Sequence, residues 1–110
     1  MVDLSFLEKF TKGDKKKMNR YIKMYLDTAP DTFNKMDESI TAQNWEQLRI
    51  NAHSLKPQAD FMGIEPLKNT LIDIENAVKD GNTMALNPLL QQAFKLHEEA
   101  SVFLAEHLND

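Results

Sequence analysis

Apolar residues recur at a three-to-four spacing along nearly the whole chain, and only three glycines and four prolines interrupt that rhythm. This period puts successive apolar side chains on one face of a helix, whereas a half-buried strand needs strict alternation, which is not evident in any segment. Leu4, Phe6, Leu7 and Phe10 form a short amphipathic piece that ends near Gly13. Asp14 is placed to cap a long helix carrying Met18, Ile22, Tyr25, Ala29, Phe33, Met36 and Ile40. Pro30 lies inside it and predicts a kink near residues 26–30 rather than a break. Asn44 caps the next helix, with Trp45, Leu48, Ala52, Leu55, Ala59 and Met62 on one stripe, until Gly63 interrupts it. Pro66 suits the first turn of a fourth segment, whose seam is Leu67, Leu71, Ile74 and Val78 and whose end is Gly81. The last helix begins between Thr83 and Pro88. Two tracks compete for its buried side, one through Leu86, Leu89, Ala93, Leu96, Ala100 and Phe103, the other through Leu90 and Leu104. Met18, Met24, Met36 and Met62 read as core filler. The expected fold is all-α: residues 1–110 as one antiparallel up-down four-helix bundle with a short additional N-terminal helix capping one end.

A chain of 110 residues has the size of one small core, so any chemistry must sit on that scaffold. Cysteine is absent, which removes disulfides, thiolate nucleophiles and cysteine-based zinc sites from consideration. The net charge of −4 opposes general nucleic-acid binding. Its distribution is uneven: residues 1–25 carry seven basic and three acidic side chains, so one end is positive and the remainder strongly negative. The opening Met1-Val2-Asp3-Leu4-Ser5 lacks a basic and apolar leader pattern, and no stretch is long enough to cross a bilayer. A cytoplasmic monomer without membrane association is the expectation.

The most informative segment is Asn51-Ala52-His53-Ser54-Leu55-Lys56-Pro57. On a helix His53 falls well over about 100° from the Leu48–Ala52–Leu55–Ala59 stripe and must face outward. Glu46, Arg49, Lys56, Pro57 and Asp60 share that outer side, with Ile50 and Phe61 as an apolar fringe suited to protein docking unless the N-terminal helix covers them. An outward imidazole is a nucleophile toward phosphoryl groups near neutral pH. Lys56, one turn on, can offset the charge of the phosphoryl oxygens, with Arg49 assisting electrostatically and Glu46 or Asp60 orienting the other ring nitrogen.

Ala52-His53-x-Leu55-Lys56, followed by Gly63, Leu67, Leu71, Ile74 and Glu75, resembles the histidine-containing phosphotransfer (HPt) domain family over essentially the whole chain. That resemblance implies a four-helix bundle in which His53 accepts a phosphoryl group from the aspartate of one receiver domain and passes it to another. Lys56 matches the family's basic residue and Gly63 its later glycine. The partners implied are receiver domains of response regulators or hybrid histidine kinases, with Arg49, Ile50, Pro57, Asp60, Phe61 and Gly63 around the docking face. No cofactor of its own is implied, Mg2+ belonging to the receiver. Two positions depart: Pro57 stands where glycine is common after the lysine, and Asp60 where a small residue is frequent.

No glycine-rich phosphate loop occurs, so autokinase activity is not expected and the chain reads as a carrier rather than an enzyme. Two other classes compete. One is a helical adaptor that binds receivers without phosphorylation. The other is a metal- or haem-binding bundle using His53, His97 and His107, whose spacing lacks a helical ligand pair and which otherwise read as surface or boundary residues.

Overall fold

The computed structural model describes residues 2–108. Five α-helices follow one another: α1 (Ser5–Phe10), α2 (Lys15–Thr41), α3 (Trp45–Phe61), α4 (Glu65–Lys79) and α5 (Leu86–Leu108), with a 3-10 turn at Thr83–Ala85 before the last. The long axis of 43 Å is set by α2, whose 27 residues span about 40 Å at about 1.5 Å each. Local chemistry fixes the starts. The Asp14 carboxylate accepts from the Lys17 N–H, Asn44 Oδ1 accepts from the Gln47 N–H, and Pro66 occupies the first turn of α4, where a missing N–H costs nothing. Both α2 and α3 run unbroken through their internal prolines.

Neighbouring helices run antiparallel, because partner positions move in opposite directions along each pair. Tyr21 meets Phe61 while Thr28 meets Gln58; His53 meets Glu75 while Asp60 meets Lys68; Tyr25 meets His97 while Phe33 meets Phe94. A continuous core runs through α2 to α5 and includes Ile22, Met36, Leu48, Leu55, Leu71, Ile74 and Leu104, all fully enclosed. α1 covers the end where α2 begins and α3 finishes. Its Leu7 is buried, and its Phe6 and Phe10 rings meet the Phe61 ring edge-on at 5.5 and 5.2 Å.

Two expectations change, and one open choice is settled. Met24 is 55% exposed and belongs to the surface, unlike Met18, Met36 and Met62. α5 buries the track Leu86, Leu90, Ala93, His97, Ala100 and Leu104, while Leu89 and Leu96 lie at the boundary and Phe103 is exposed. His97 is therefore a core residue, not a surface or boundary one. Its Nδ1 lies 2.8 Å from the Tyr25 hydroxyl, and the Phe33 and Phe94 rings pack around it. The two tracks share Ala93 and Ala100, and the polar His97 on the buried one is what let the more apolar Leu89, Leu96 and Phe103 compete.

Burial lowers the His97 pKa and raises that of Tyr25, so both groups are held neutral. Because the folded value of His97 lies below the unfolded one of about 6.5, the unfolded chain takes up its proton first as pH falls. The contribution to stability is thus intact above about pH 6.5 and declines as pH drops below it. Denaturant unfolding at pH 7.5 and pH 5.0 is expected to show a smaller acid-induced loss for His97→Gln than for the unmodified chain; equal losses would contradict the assignment.

Candidate functional site

Near the middle of α3, His53 keeps 64% of its side-chain exposure, as the helical geometry requires. Leu48, Ala52, Leu55 and Ala59 on the opposite side are fully buried and fix the rotation of the helix. His53 Nδ1 lies 2.9 Å from Glu75 Oε2 on α4. The other Glu75 oxygen, Oε1, is ion-paired with Lys56 Nζ at 2.8 Å. One carboxylate thus holds both residues. Partial burial tends to raise the Glu75 pKa, but the hydrogen bonds and charges of Lys56 and His53 outweigh it and lower it. Glu75 therefore stays ionised at neutral pH. An ionised carboxylate is an acceptor only, so Nδ1 carries a hydrogen, and Nε2 has no hydrogen-bond partner among the described residues.

Glu75 replaces the two carboxylates expected to orient the imidazole. Glu46 is occupied by Arg49, through Nε–Oε1 at 2.9 Å and Nη2–Oε2 at 2.6 Å, and Asp60 by Lys68 Nζ at 3.2 Å. Arg49 is accordingly tied to Glu46 rather than directed at His53. A signal for Glu75 was present in the chain. His53 and Glu75 stand symmetrically about Ile64, eleven residues to either side, as Asp60 and Lys68 do at four. Counting outward from the Gly63 turn gives the register of α3 on α4.

Ile50 is 45% exposed and Pro57 is exposed, so both are open to a partner. Phe61 is only half-buried but enclosed by the rings of Phe6, Phe10 and Tyr21, the covering by α1 that the apolar fringe allowed. Gly63 sits at φ +71°, and the Asp3 backbone occupies the space over its Cα; its position answers to the fold. Among the described residues no three His, Asp or Glu side chains converge as a metal site: His53 is outside, His97 is in the core, and His107 is near the end of α5. No described helix is long and apolar enough to cross a membrane.

No curated protein matches the chain. Its fold is similar to the crystal structure of histidine-containing phosphotransfer protein B (HptB) from Pseudomonas aeruginosa PAO1, with a TM-score of 0.92 over 98% of this chain and 94% of that one. At 15% identity this likeness speaks for the fold. The Hpt domain model matches residues 20–108, a span that contains α3, α4 and the whole His53–Glu75–Lys56 constellation. The chain therefore belongs to the Hpt domain family, the histidine phosphotransfer proteins of phosphorelays.

Proposed function

We propose that His53 is the phosphoacceptor of this Hpt protein, taking a phosphoryl group from the aspartyl phosphate of one receiver domain and delivering it to the aspartate of another. The observation that carries this reading is the bond from Nδ1 to Glu75, which in the neutral imidazole makes Nε2 the nucleophilic nitrogen on an exposed side chain. Nε2 attacks phosphorus as the bond from phosphorus to the aspartyl oxygen breaks, and the aspartate leaves as a carboxylate. No proton has to move, so no general base is required. The ring retains its Nδ1 hydrogen and gains positive character, which ionised Glu75 stabilises. Lys56 is close enough to turn from Glu75 to the phosphoryl oxygens as charge accumulates there. Delivery to the second receiver reverses these steps. Mg2+ belongs to the receiver's acidic pocket, and this chain supplies the nucleophile and its electrostatic partners. It acts as a carrier without autokinase activity, in the cytoplasm and as a monomer.

Incubation with receiver domains phosphorylated by acetyl phosphate is expected to transfer a base-stable, acid-labile label to the protein. A folded protein that takes no label from any receiver of its own genome would favour an unphosphorylated adaptor. Lys56→Ala is expected to slow transfer by about tenfold to a hundredfold without unfolding the bundle. The loss stays below that of a fully enclosed donor because the Lys56 side chain keeps 29% of its exposure to screening water. Unchanged rates would remove its role.

A further inference from the structure

Two cations stand one helical turn from His53 on α3, Arg49 four residues before it and Lys56 three residues after. Lys56 shares Glu75 with the imidazole. Arg49 lies outside that arrangement: its guanidinium is forked onto Glu46, with Nε and Nη2 donating to the two carboxylate oxygens. Both side chains of this pair face solvent, Arg49 at 38% and Glu46 at 67% exposure, so the pair is weak despite its geometry. The guanidinium also lies in the field of a second carboxylate. Its pKa is raised chiefly by the hydrogen bonds and charge of Glu46, and further by the charge of Glu75, the residue that holds the imidazole. Cβ atoms one turn apart on a helix are separated by about 5–6 Å, a gap that an arginine side chain can cover.

We propose that Arg49 is a second phosphoryl-binding residue, held on Glu46 while His53 is free and turning to the phosphoryl oxygens once His53 is phosphorylated. The inference rests on His53 as phosphoacceptor. Phosphorylation brings about two negative charges and three strong acceptor oxygens to within one turn of the guanidinium. Glu46 offers a single charge in an exposed pair, so the balance moves toward the phosphoryl group. The planar fork that matches the Glu46 carboxylate also matches an edge of a phosphate. Side chains on a helix lean toward its N-terminus, which brings a group on His53 over the turn that carries Arg49. Lys56 alone would have to leave Glu75 to reach the same oxygens. With Arg49 available, the ammonium can keep its contact with the carboxylate that steadies the ring. The two cations then differ in when they act: Lys56 on charge that develops during transfer, Arg49 on charge that rests on His53 between receivers.

The test uses the full chain, phosphorylated with phosphoramidate, and follows the phosphorus NMR resonance of the phosphohistidine as pH is varied. A bound cation favours the more ionised phosphoryl group and lowers its titration midpoint. Arg49→Gln is expected to raise that midpoint by about 0.5 pH unit, roughly a threefold change in the ionisation equilibrium, with screening at an exposed site limiting its size. Arg49→Lys keeps the charge without the fork and is expected to recover about half of the shift. Glu46→Gln releases Arg49 and is expected to lower the midpoint by about 0.3 unit in the unmodified chain, but by less than about 0.1 unit in Arg49→Gln. Glu46 precedes His53 by seven residues, about 10 Å along the helix, where its own charge is largely screened. A midpoint unchanged by Arg49→Gln overturns the proposal. So does a Glu46→Gln shift of equal size in both backgrounds, because Glu46 then acts by its own charge and not by holding Arg49. Both of these results leave His53 labelled, and the phosphoacceptor stands. Absence of label from both phosphoramidate and every receiver removes the phosphoacceptor and the role of Arg49 together.

Discussion

His53→Gln is expected to reduce the phosphoryl label to background, with the bundle as stable as before. The side chain is 64% exposed and contributes nothing to the core, so its replacement leaves the Leu48–Ala52–Leu55–Ala59 stripe untouched. Glutamine has good helix propensity, and its amide can donate to Glu75 in place of Nδ1. It has no nucleophilic nitrogen, because the amide lone pair is delocalised. The substitution therefore separates chemistry from architecture. Circular dichroism and thermal unfolding should superimpose on those of the unmodified chain, within about 0.5 kcal/mol for a surface change of this kind. Label persisting in a folded His53→Gln protein would place the phosphoacceptor elsewhere. His107 is then the first alternative to test, since His97 lies enclosed among Tyr25, Phe33 and Phe94.

Much of this site and of its scaffold was legible from the sequence because the relevant physics is local. A helix period places His53 opposite Ala52 and Leu55, and caps such as Asp14 and Asn44 act on N–H groups three residues away. Glu75 was less accessible for the opposite reason. Its role depends on how α3 and α4 are set against each other, and the nearer carboxylates, Glu46 and Asp60, satisfied the same local geometry. They were taken by Arg49 and Lys68, a competition that only the assembled surface decides. His97 illustrates a second limit. Apolarity left Leu89, Leu96 and Phe103 in competition with a track through Leu90 and Leu104 that also carries a histidine. The assembled bundle buries the latter, and Tyr25 meets the polar requirement of His97. Met24 remains outside because it lies off the Ile22–Tyr25–Ala29 stripe, about 100° from Tyr25, where it borders a groove between α2 and α3.

Gly63→Ala is expected to be the most destabilising of the three possible glycine-to-alanine changes, and the comparison isolates its cause. Gly13, Gly63 and Gly81 share nearly the same backbone angle, φ +73°, +71° and +72°, so each substitution carries a similar left-handed strain of about 1 kcal/mol. At Gly13 and Gly81 nothing lies within 4 Å of an added Cβ, and that strain is the whole expected cost. At Gly63 the Cβ would fall 1.6 Å from the Asp3 carbonyl oxygen and 2.5 Å from its carbon. Backbone, not a flexible side chain, is in the way. Relief requires residues 2–4 to lift off, which breaks the 2.9 Å bond from the Asp3 N–H to the Gly63 carbonyl and withdraws Val2 and Leu4 from the core they border. Adding a lost hydrogen bond and partial apolar exposure to the strain gives about 2–4 kcal/mol, or a fall in Tm of roughly 10–20 °C for a domain of this size. Gly13→Ala and Gly81→Ala should each fall by about 4–8 °C. Because α1 follows directly on the displaced segment, Gly63→Ala should also free Phe6 and Phe10 from Phe61. Faster amide exchange in residues 5–10 would report this, while α3 and α4 keep their protection. Three equal shifts in Tm would mean that the N-terminal segment yields without cost and that Gly63 is required only for its turn.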